Sequence, residues 1–324
     1  EHAWRWRDPQ FKSPRRAFPQ PLWDGAPSEH GAVLLWGEQG IGDEILFASV
    51  LAAAVARVRR CVLECEPRLV ALFARSFPDV EVVARGDPPD PRTLAPDIVA
   101  QAPMGDLPQW FRKRFEDFSG TESYLEADPV RVCAVRERVA ALGPGPIVGL
   151  SWRTLRPTVE RAGWYAPLAR WTPILGVPGV TFVNLQAGDC RAELDAVRDA
   201  FGVTVHEVAG VDLLADLDGV AALIAATDVV IAQPNSGVAL AGALGCPAWV
   251  LLSDVPNWRW FRDRDDSPWF PSAQLFRQQR RGDWDEVFAR VAKALRHETG
   301  ARTGRPAPGG AGSRPLRVPE GGSP

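Results

Sequence analysis

Short apolar runs alternate with longer segments of helical periodicity from residue 32 onwards. The run AVLLW at 32–36 predicts a buried strand, and EILFASVLAAAVARVRR at 44–60 has the apolar spacing of three and four that is typical of a helix. Further strands are predicted at 61–65, 80–83 and 97–101. Alternation of this kind indicates a parallel sheet with helices on both faces.

The pattern is interrupted and then resumes in the second half of the chain. Residues 102–128 are irregular, a helix is predicted over 130–142, and GPGP at 143–146 is a strong breaker. After it, strands are predicted at 147–152, 180–186, 203–208, 228–233 and 248–252, with helices at about 166–175, 190–201, 216–226 and 236–244. A last helix is predicted to begin after a cap at Asp283.

We therefore predict an α/β fold built from two Rossmann-like, doubly wound parallel-sheet domains that face each other across a cleft. The expected divisions are an N-terminal extension (1–30), a first domain (31–144), a second domain (145–298) and a disordered tail (299–324). Ligands of open α/β sheets bind beyond the carboxyl ends of the strands, so the segments that follow the strands are the candidate site.

Composition narrows the class of protein. The chain of 324 residues has a net charge of −3, and without a basic excess we expect neither nucleic acid nor an anionic membrane as a partner. No apolar run reaches the ~18 residues of a membrane span, so no transmembrane segment is expected. The five cysteines form no CxxC pair, which argues against a disulfide framework and against a zinc site.

The segment GEQGIGDE follows the first strand and opens the first helix. Its glycines suggest a close approach to the backbone, and its N–H groups at a helix start favour an anion. Asp43 could instead serve as a general base toward a hydroxyl, with Glu38, Gln39, Gly40 and Gly42 forming the acceptor-side loop. A tight turn with acidic caps is the alternative interpretation, and neither a Walker loop nor GxGxxG is present.

A second candidate segment is QPNSGVALAGALG, which begins at the end of a predicted strand. Asn235, Ser236 and Gly237 turn the chain into a helix rich in small residues, and such a helix start suits a diphosphate. The alternative is a capped core helix with Asn235 or Ser236 as the N-cap.

Two further strand ends carry polar side chains. LSWRTLR supplies Ser151, Arg153 and Arg156, and arginine can hold phosphate bidentately. Gln186 in NLQAGD could hydrogen-bond a nucleobase or ribose, although turn chemistry around the next glycine would explain it equally well. DRDD at 263–266 contains a DxD, but its basic neighbours favour a charged surface loop.

Several segments together resemble one known family. The chain resembles, over about residues 4–296, the glycosyltransferase-like domain that follows tetratricopeptide repeats in many bacterial proteins and is related to the heptosyltransferases (glycosyltransferase family nine, GT-B fold). The segments that carry the resemblance are, in order, WRW, FPQPLWDG, LLWGEQGIGDEILFA, CVLECEPRLVALF, VGLSWR, FVNLQ, DVVIA, LAGALGCPAWVLL, WRW, SPWFPSAQLFRQ and GDW.

The resemblance implies transfer of a sugar from a nucleotide-sugar to a glycan, lipid-linked or protein acceptor. It implies that the second domain binds the donor, with the diphosphate at Asn235–Ser236–Gly237, and that Asp43 of the first domain is the base. The implied mechanism is inverting and needs no metal or other cofactor. It also implies tetratricopeptide repeats upstream. Because no N-terminal apolar segment resembles a signal peptide, the default expectation is a cytoplasmic location, with a peripheral position at the inner membrane left open.

The chain departs from the family pattern on the donor side. Relatives carry an aspartate–threonine turn and a histidine before LAGALG, where this chain has Pro234–Asn235–Ser236 and Ala239; Ala187 also replaces an aromatic residue. A degenerate domain that acts as a binding or scaffold module is therefore a second hypothesis. A nucleotide-sugar epimerase on a similar paired fold is a third.

Overall fold

The computed structural model describes residues 2–9, 11, 13–118, 123–155 and 163–303, of which 2, 3 and 301–303 are described by their backbone alone. The chain forms two compact units, Glu1–Glu126 and Ala127–Pro324. No helix among these residues is long and apolar enough to cross a membrane.

The first unit contains a four-stranded parallel sheet with the order β3-β2-β1-β4. Its strands are β1 (Ala32–Trp36), β2 (Cys61–Cys65), β3 (Val80–Ala84) and β4 (Ile98–Pro103). The α-helices described in this unit are α1 (Ile41–Ala48), α2 (Leu51–Val55), α3 (Val70–Ser76) and α4 (Leu107–Phe111). The chain passes from β1 to β3 in one direction and returns to the other side of β1 for β4. This reversal creates a topological switch point between β1 and β4.

The single helix predicted over 44–60 is wrong. The structure has α1 and α2 instead, and α1 begins three residues earlier, at Ile41. The break occurs where the Ser49 hydroxyl donates to the carbonyl of Leu46 (2.6 Å) and the Val50 amide to that of Phe47 (3.0 Å). Local bonds of this type compete with helix propagation, and apolar spacing alone does not reveal them.

The N-terminal segment, described over residues 2–9, 11 and 13–24, is part of the first unit. Trp6 and Phe18 pack on Trp36 of β1, with ring centroids 5.9 and 6.3 Å apart. A backbone bridge also joins Leu22 to the edge of β4. The segment therefore covers a sheet face that a helix would otherwise cover, whereas the sequence led us to expect a separate extension.

The second unit contains a six-stranded parallel sheet with the order β10-β9-β8-β5-β6-β7. Its strands are β5 (Ile147–Ser151), β6 (Thr181–Asn184), β7 (Val205–His206), β8 (Val229–Ala232), β9 (Ala248–Leu252) and β10 (Ala273–Arg277). The α-helices described are α5 (Pro129–Ala140), α6 (Thr172–Leu175), α7 (Arg191–Phe201), α8 (Leu217–Ala225), α9 (Ser236–Ala243) and α10 (Trp284–Thr303). Its switch point lies between β5 and β8.

Helix α5 belongs to the second unit, so the units divide before the GPGP segment. Its Arg131 pairs with Asp216, the N-cap of α8. Helix α10 continues to Thr303, past the expected start of the tail, and 304–324 lie outside the described residues. Strand β10 falls in a stretch that the sequence did not assign to a strand.

Candidate functional site

The loop between β1 and α1 requires a glycine at position 37 because a side chain of the same unit lies against its backbone. A Cβ atom at Gly37 would overlap the carboxylate of Glu44, which lies directly against the loop backbone. The sequence predicted that a group would lie close to the backbone of this loop. At Gly37 that group is the buried side chain of Glu44 in α1.

Glu44 ties α1 to the carboxyl ends of the other strands. Its Oε1 accepts a hydrogen bond from Arg85 Nη1 (2.7 Å), and its Oε2 accepts one from the backbone N–H of Glu66 (2.8 Å). Arg85 Nη1 also donates to the carbonyl of Gly37 (2.9 Å). Burial raises the pKa of Glu44 to about 7, against the opposing attraction of Arg85.

Glu38 is also buried and is occupied by another part of the first unit. Its two carboxylate oxygens accept hydrogen bonds from Nε (3.1 Å) and Nη2 of Arg5, and its exposure is only 2%. Burial raises the pKa of Glu38, and Arg5 opposes this shift. We expected Glu38 to face the acceptor, whereas the structure places it in an internal ion pair.

Asp43 has a different environment from the acids on either side of it. It is half-buried, and its Oδ2 accepts a hydrogen bond from the Gly40 N–H (3.3 Å) at the start of α1. Gly42 lies in the first turn of α1, and Gln39 before it adopts a left-handed conformation (φ 68°). Asp43 is thus the acid of this loop that solvent can reach, at the carboxyl edge of the first sheet.

The candidate donor residues of the second unit form one hydrogen-bonded network across its switch point. Asn235 Nδ2 donates to the Ser151 hydroxyl (2.7 Å), and that hydroxyl donates to Gln186 Oε1 (3.3 Å). Ser151 is the last residue of β5, and Asn235 and Gln186 follow β8 and β6; the carboxyl ends of these three strands are adjacent in the sheet. Sequence reasoning selected them separately, and the fold brings them together.

Each of these side chains also has a local structural task. Gln186 Oε1 accepts from the backbone N–H groups of Trp152 (3.0 Å) and Arg153 (2.9 Å), which fixes the turn after β5. Asn235 Oδ1 caps α9 by accepting from the N–H groups of Gly237 (2.9 Å) and Val238 (3.3 Å). The capping interpretation of Asn235 is therefore confirmed.

Arg153 is held at the same edge by an ion pair. Its Nε and Nη2 donate to Glu193 Oε2 (3.0 and 2.8 Å), and Nη2 also donates to the carbonyl of Asp189 (2.7 Å). The hydrogen bonds to the Glu193 carboxylate raise the pKa of Arg153. Arg156, the other arginine of this strand end, lies outside the described residues.

A pocket of about 530 Å³ adjoins this network at the carboxyl ends of β6 and β7. Asn184 and Gln186 line one part of it, and the loop 208–214 lines another. Glu207, whose side chain is 59% exposed, is also in the lining. Sequence reasoning did not select Glu207, because the residue lay inside the strand predicted over 203–208, whereas the structure ends β7 at His206.

The run 263–266 lies apart from these side-chain networks in a polar loop. Asp263, Asp265 and Asp266 are exposed, and Arg264 pairs with Asp266 (2.7 Å). This agrees with the interpretation of DRDD as a charged surface loop.

Comparison with known proteins identifies the fold. The chain is similar to the ADP-heptose lipopolysaccharide heptosyltransferase II of Escherichia coli, with a TM-score of 0.53, 13% identity, and coverage of 84% of this chain and 99% of that one. A similar match is the glycosyltransferase family 9 structure from Veillonella parvula, with a TM-score of 0.51, 10% identity, and coverage of 85% and 97%. The α/β fold class with two parallel sheets is therefore confirmed, and it is the GT-B fold of these glycosyltransferases.

In sequence, the chain is similar to protein FlbA of Caulobacter vibrioides, with 37% identity over 302 residues. The match covers 88% of this chain and 49% of FlbA, so the chain spans about half the length of this relative. No family model matches the chain.

Proposed function

We propose that the protein is a glycosyltransferase that moves a sugar from a nucleotide-sugar, bound by the second unit, to an acceptor hydroxyl bound by the first. The observation that carries this proposal is the network of Asn235, Ser151 and Gln186, which crosses the switch point beside an open pocket. A switch point at the carboxyl ends of parallel strands is where α/β sheets bind nucleotides. The fold, shared with heptosyltransferase structures, supports the same conclusion.

The pocket suits the nucleoside part of the donor. It is large enough for a base and ribose, and the Glu207 carboxylate can accept hydrogen bonds from ribose hydroxyls. The diphosphate would then lie toward the start of α9, where the Ser236 N–H and the helix dipole favour negative charge. Arg153 supplies a second positive group at the same edge.

The proposed chemistry is inverting and independent of metal. Asp43 takes the proton from the acceptor hydroxyl, whose oxygen attacks the anomeric carbon of the donor. The bond from that carbon to the diphosphate breaks, and the leaving oxygen takes the electron pair. General-base assistance of this kind contributes roughly 10²–10⁴-fold to the rate. The proposed acceptor is a glycan, a lipid-linked sugar or a protein. The proposal also includes tetratricopeptide repeats upstream of this chain.

Replacing the base tests this function. A panel of nucleotide-sugars is first screened for turnover, with release of the nucleoside diphosphate as the signal. Asp43→Asn should reduce kcat by roughly 10²-fold or more while nucleotide binding stays within about twofold, because the donor site belongs to the other unit. Asp79→Asn, at an exposed turn before β3, is the matched control. Full activity in Asp43→Asn would remove Asp43 from the mechanism.

A binding module without catalysis is the second candidate, and one observation favours it. Arg153 is paired with Glu193, and the Oδ1 of Asn235 is committed to its own helix. Donor contacts would therefore have to share or displace these internal partners. Calorimetry with nucleoside diphosphates separates the cases, since a pure scaffold binds none, and a degenerate transferase binds them without turnover.

A further inference from the structure

The switch point of the first sheet is occupied by the chain's own N-terminal segment. Glu38 follows β1, Asp106 precedes α4 at the end of β4, and Arg5 lies between the two acids. In open α/β sheets this crevice is a usual place for a ligand. Here a guanidinium group of the same polypeptide takes that place.

All three nitrogens of the Arg5 guanidinium donate hydrogen bonds to carboxylates. Nε and Nη2 bind the two oxygens of Glu38, and Nη1 donates to Asp106 Oδ1 at 2.7 Å. The Arg5 side chain is 6% exposed and that of Glu38 is fully buried. Its guanidinium also lies 4.7 Å from the ring of Trp6. A planar fork of this kind fixes direction as well as charge, which a point charge does not.

A second contact reaches the backbone of the same loop. The N–H of Gln39 donates to the hydroxyl of Ser13 (2.9 Å), and Gln39 has a φ of 68°. A non-glycine residue keeps such a conformation only when its surroundings hold it there. Arg5 and Ser13 provide that restraint on two consecutive residues of the loop.

We propose that Arg5 is a positioning residue, and that the described residues of the N-terminal segment (2–9, 11 and 13–24) act as a strap that sets the conformation of the loop carrying Asp43. The path is short: Glu38 and Gln39 are held by the strap, Gly40 follows, and the Gly40 N–H binds the carboxylate of Asp43. The role in turnover rests on the function proposed above, whereas the restraint on the loop does not.

The competing explanation is that Arg5 only neutralises a buried acid. Arg5→Lys separates the two, because lysine supplies the charge without the fork. We expect Arg5→Lys to keep its unfolding midpoint within a few degrees of wild type. We also expect amide exchange at Gln39, Gly40, Asp43 and Glu44 to become roughly tenfold faster or more, since these amides are hydrogen-bonded within the strapped loop.

Two further variants complete the test. Arg7→Lys is the matched control: Arg7 lies on the same short 3₁₀-helix as Arg5 (His2–Arg7) but is exposed and stacked on Trp4, so loop exchange should be unchanged. Ser13→Ala removes only the acceptor of the Gln39 N–H and should accelerate exchange at Gln39 and Gly40 without loss of folding. Ser13→Ala therefore tests whether the strap restrains the loop even if Arg5→Lys fails to fold.

Turnover provides the last readout. With a nucleotide-sugar that the wild-type protein uses, Arg5→Lys should lower kcat and leave the donor KM unchanged, because the donor contacts belong to the second unit. Wild-type exchange rates in Arg5→Lys would overturn the role of Arg5, and, if that variant does not fold, wild-type rates in Ser13→Ala would overturn the strap. If no nucleotide-sugar is turned over by the wild type, the proposed function fails, and the exchange rates still decide whether the strap exists.

Discussion

Two adjacent acids of α1 have opposite chemical environments. Asp43 is half-buried and reaches solvent, whereas Glu44 is fully buried against Gly37 and Arg85. One carboxylate is thus within reach of solvent, and the other holds the helix against the sheet. The second arrangement makes the stability of the first unit depend on pH.

The pH dependence of Glu44 has a definite sign. Its ordinary pKa of 4.5 is raised to about 7 in the folded protein, so between these values the folded state holds a proton that the unfolded state has released. Stability is therefore fully present below about pH 4.5 and is lost as pH rises through about 7, by up to roughly 3 kcal/mol.

Glu44→Gln should remove this contribution. The free energy of opening is measured by amide exchange in β1 and β2 at matched pH. The excess of the wild-type value over that of Glu44→Gln should be larger at pH 5 than at pH 8. Glu137→Gln, on the exposed face of α5, is the control. An equal difference between wild type and Glu44→Gln at the two pH values would contradict the assignment.

Single residues differ in how far the sequence reveals them. Asp43 and Asn235 could be selected because each lies beside glycines in a segment that leads from a strand into a helix, and the short-range cap of Asn235 follows from residue type. The roles of Arg5 and Glu44 could not be predicted. They depend on partners 33 and 41 residues away, which meet only after the sheet has formed.

At the scale of elements, α9 shows why the candidate donor helix is rich in small residues. A Cβ atom at Gly242 would overlap the ring and Cβ of Phe270, so the helix lies directly against that side chain. The ring of Trp260 packs on Phe270 in turn, 6.0 Å between centroids. Trp260 and Phe270, in the aromatic stretch after β9, are thus part of the core on which α9 packs, whereas Trp258 of the same stretch is exposed.

Gly242→Ala should destabilise the second unit by about 1–3 kcal/mol, because a tightly packed site must shift to accept a methyl group. Chemical denaturation of the full chain measures the change. Gly300→Ala in α10 is the matched helical control, since no atom lies within 4 Å of the position that its new methyl group would take; it should stabilise by up to about 1 kcal/mol. Equal effects of the two substitutions would contradict this packing.

Elements were predictable where the local pattern was strong. Strands β1, β2 and β9 have the predicted bounds, because each is a continuous run of five buried residues. Strand β10 was missed because AQLFR lies among aromatic and charged residues, and its identity comes from pairing with β9. Strand β7 has two residues, whereas six were predicted. The difference arises because it pairs only with β6, and only over those two residues.

At the scale of the whole molecule, the two sheets use their switch points differently. The first fills its switch point with Arg5, and Asp43 lies on the adjoining loop. The second leaves a pocket beside a network of polar side chains. The order of strands and helices along the sequence was enough to predict two parallel sheets, although it missed β10 of the second. The occupant of each switch point required the structure.

The central claim is that the second unit binds the nucleotide part of a sugar donor, and calorimetry tests it most directly. The full chain is titrated with ADP, GDP, UDP, CDP and dTDP, and the titration is repeated with Glu207→Leu and with Glu137→Gln as the control. The account predicts that at least one nucleoside diphosphate binds the wild type and the control equally. Its affinity should fall roughly tenfold or more in Glu207→Leu, which is about 1.4 kcal/mol. Absence of binding by every member of the panel would contradict the account.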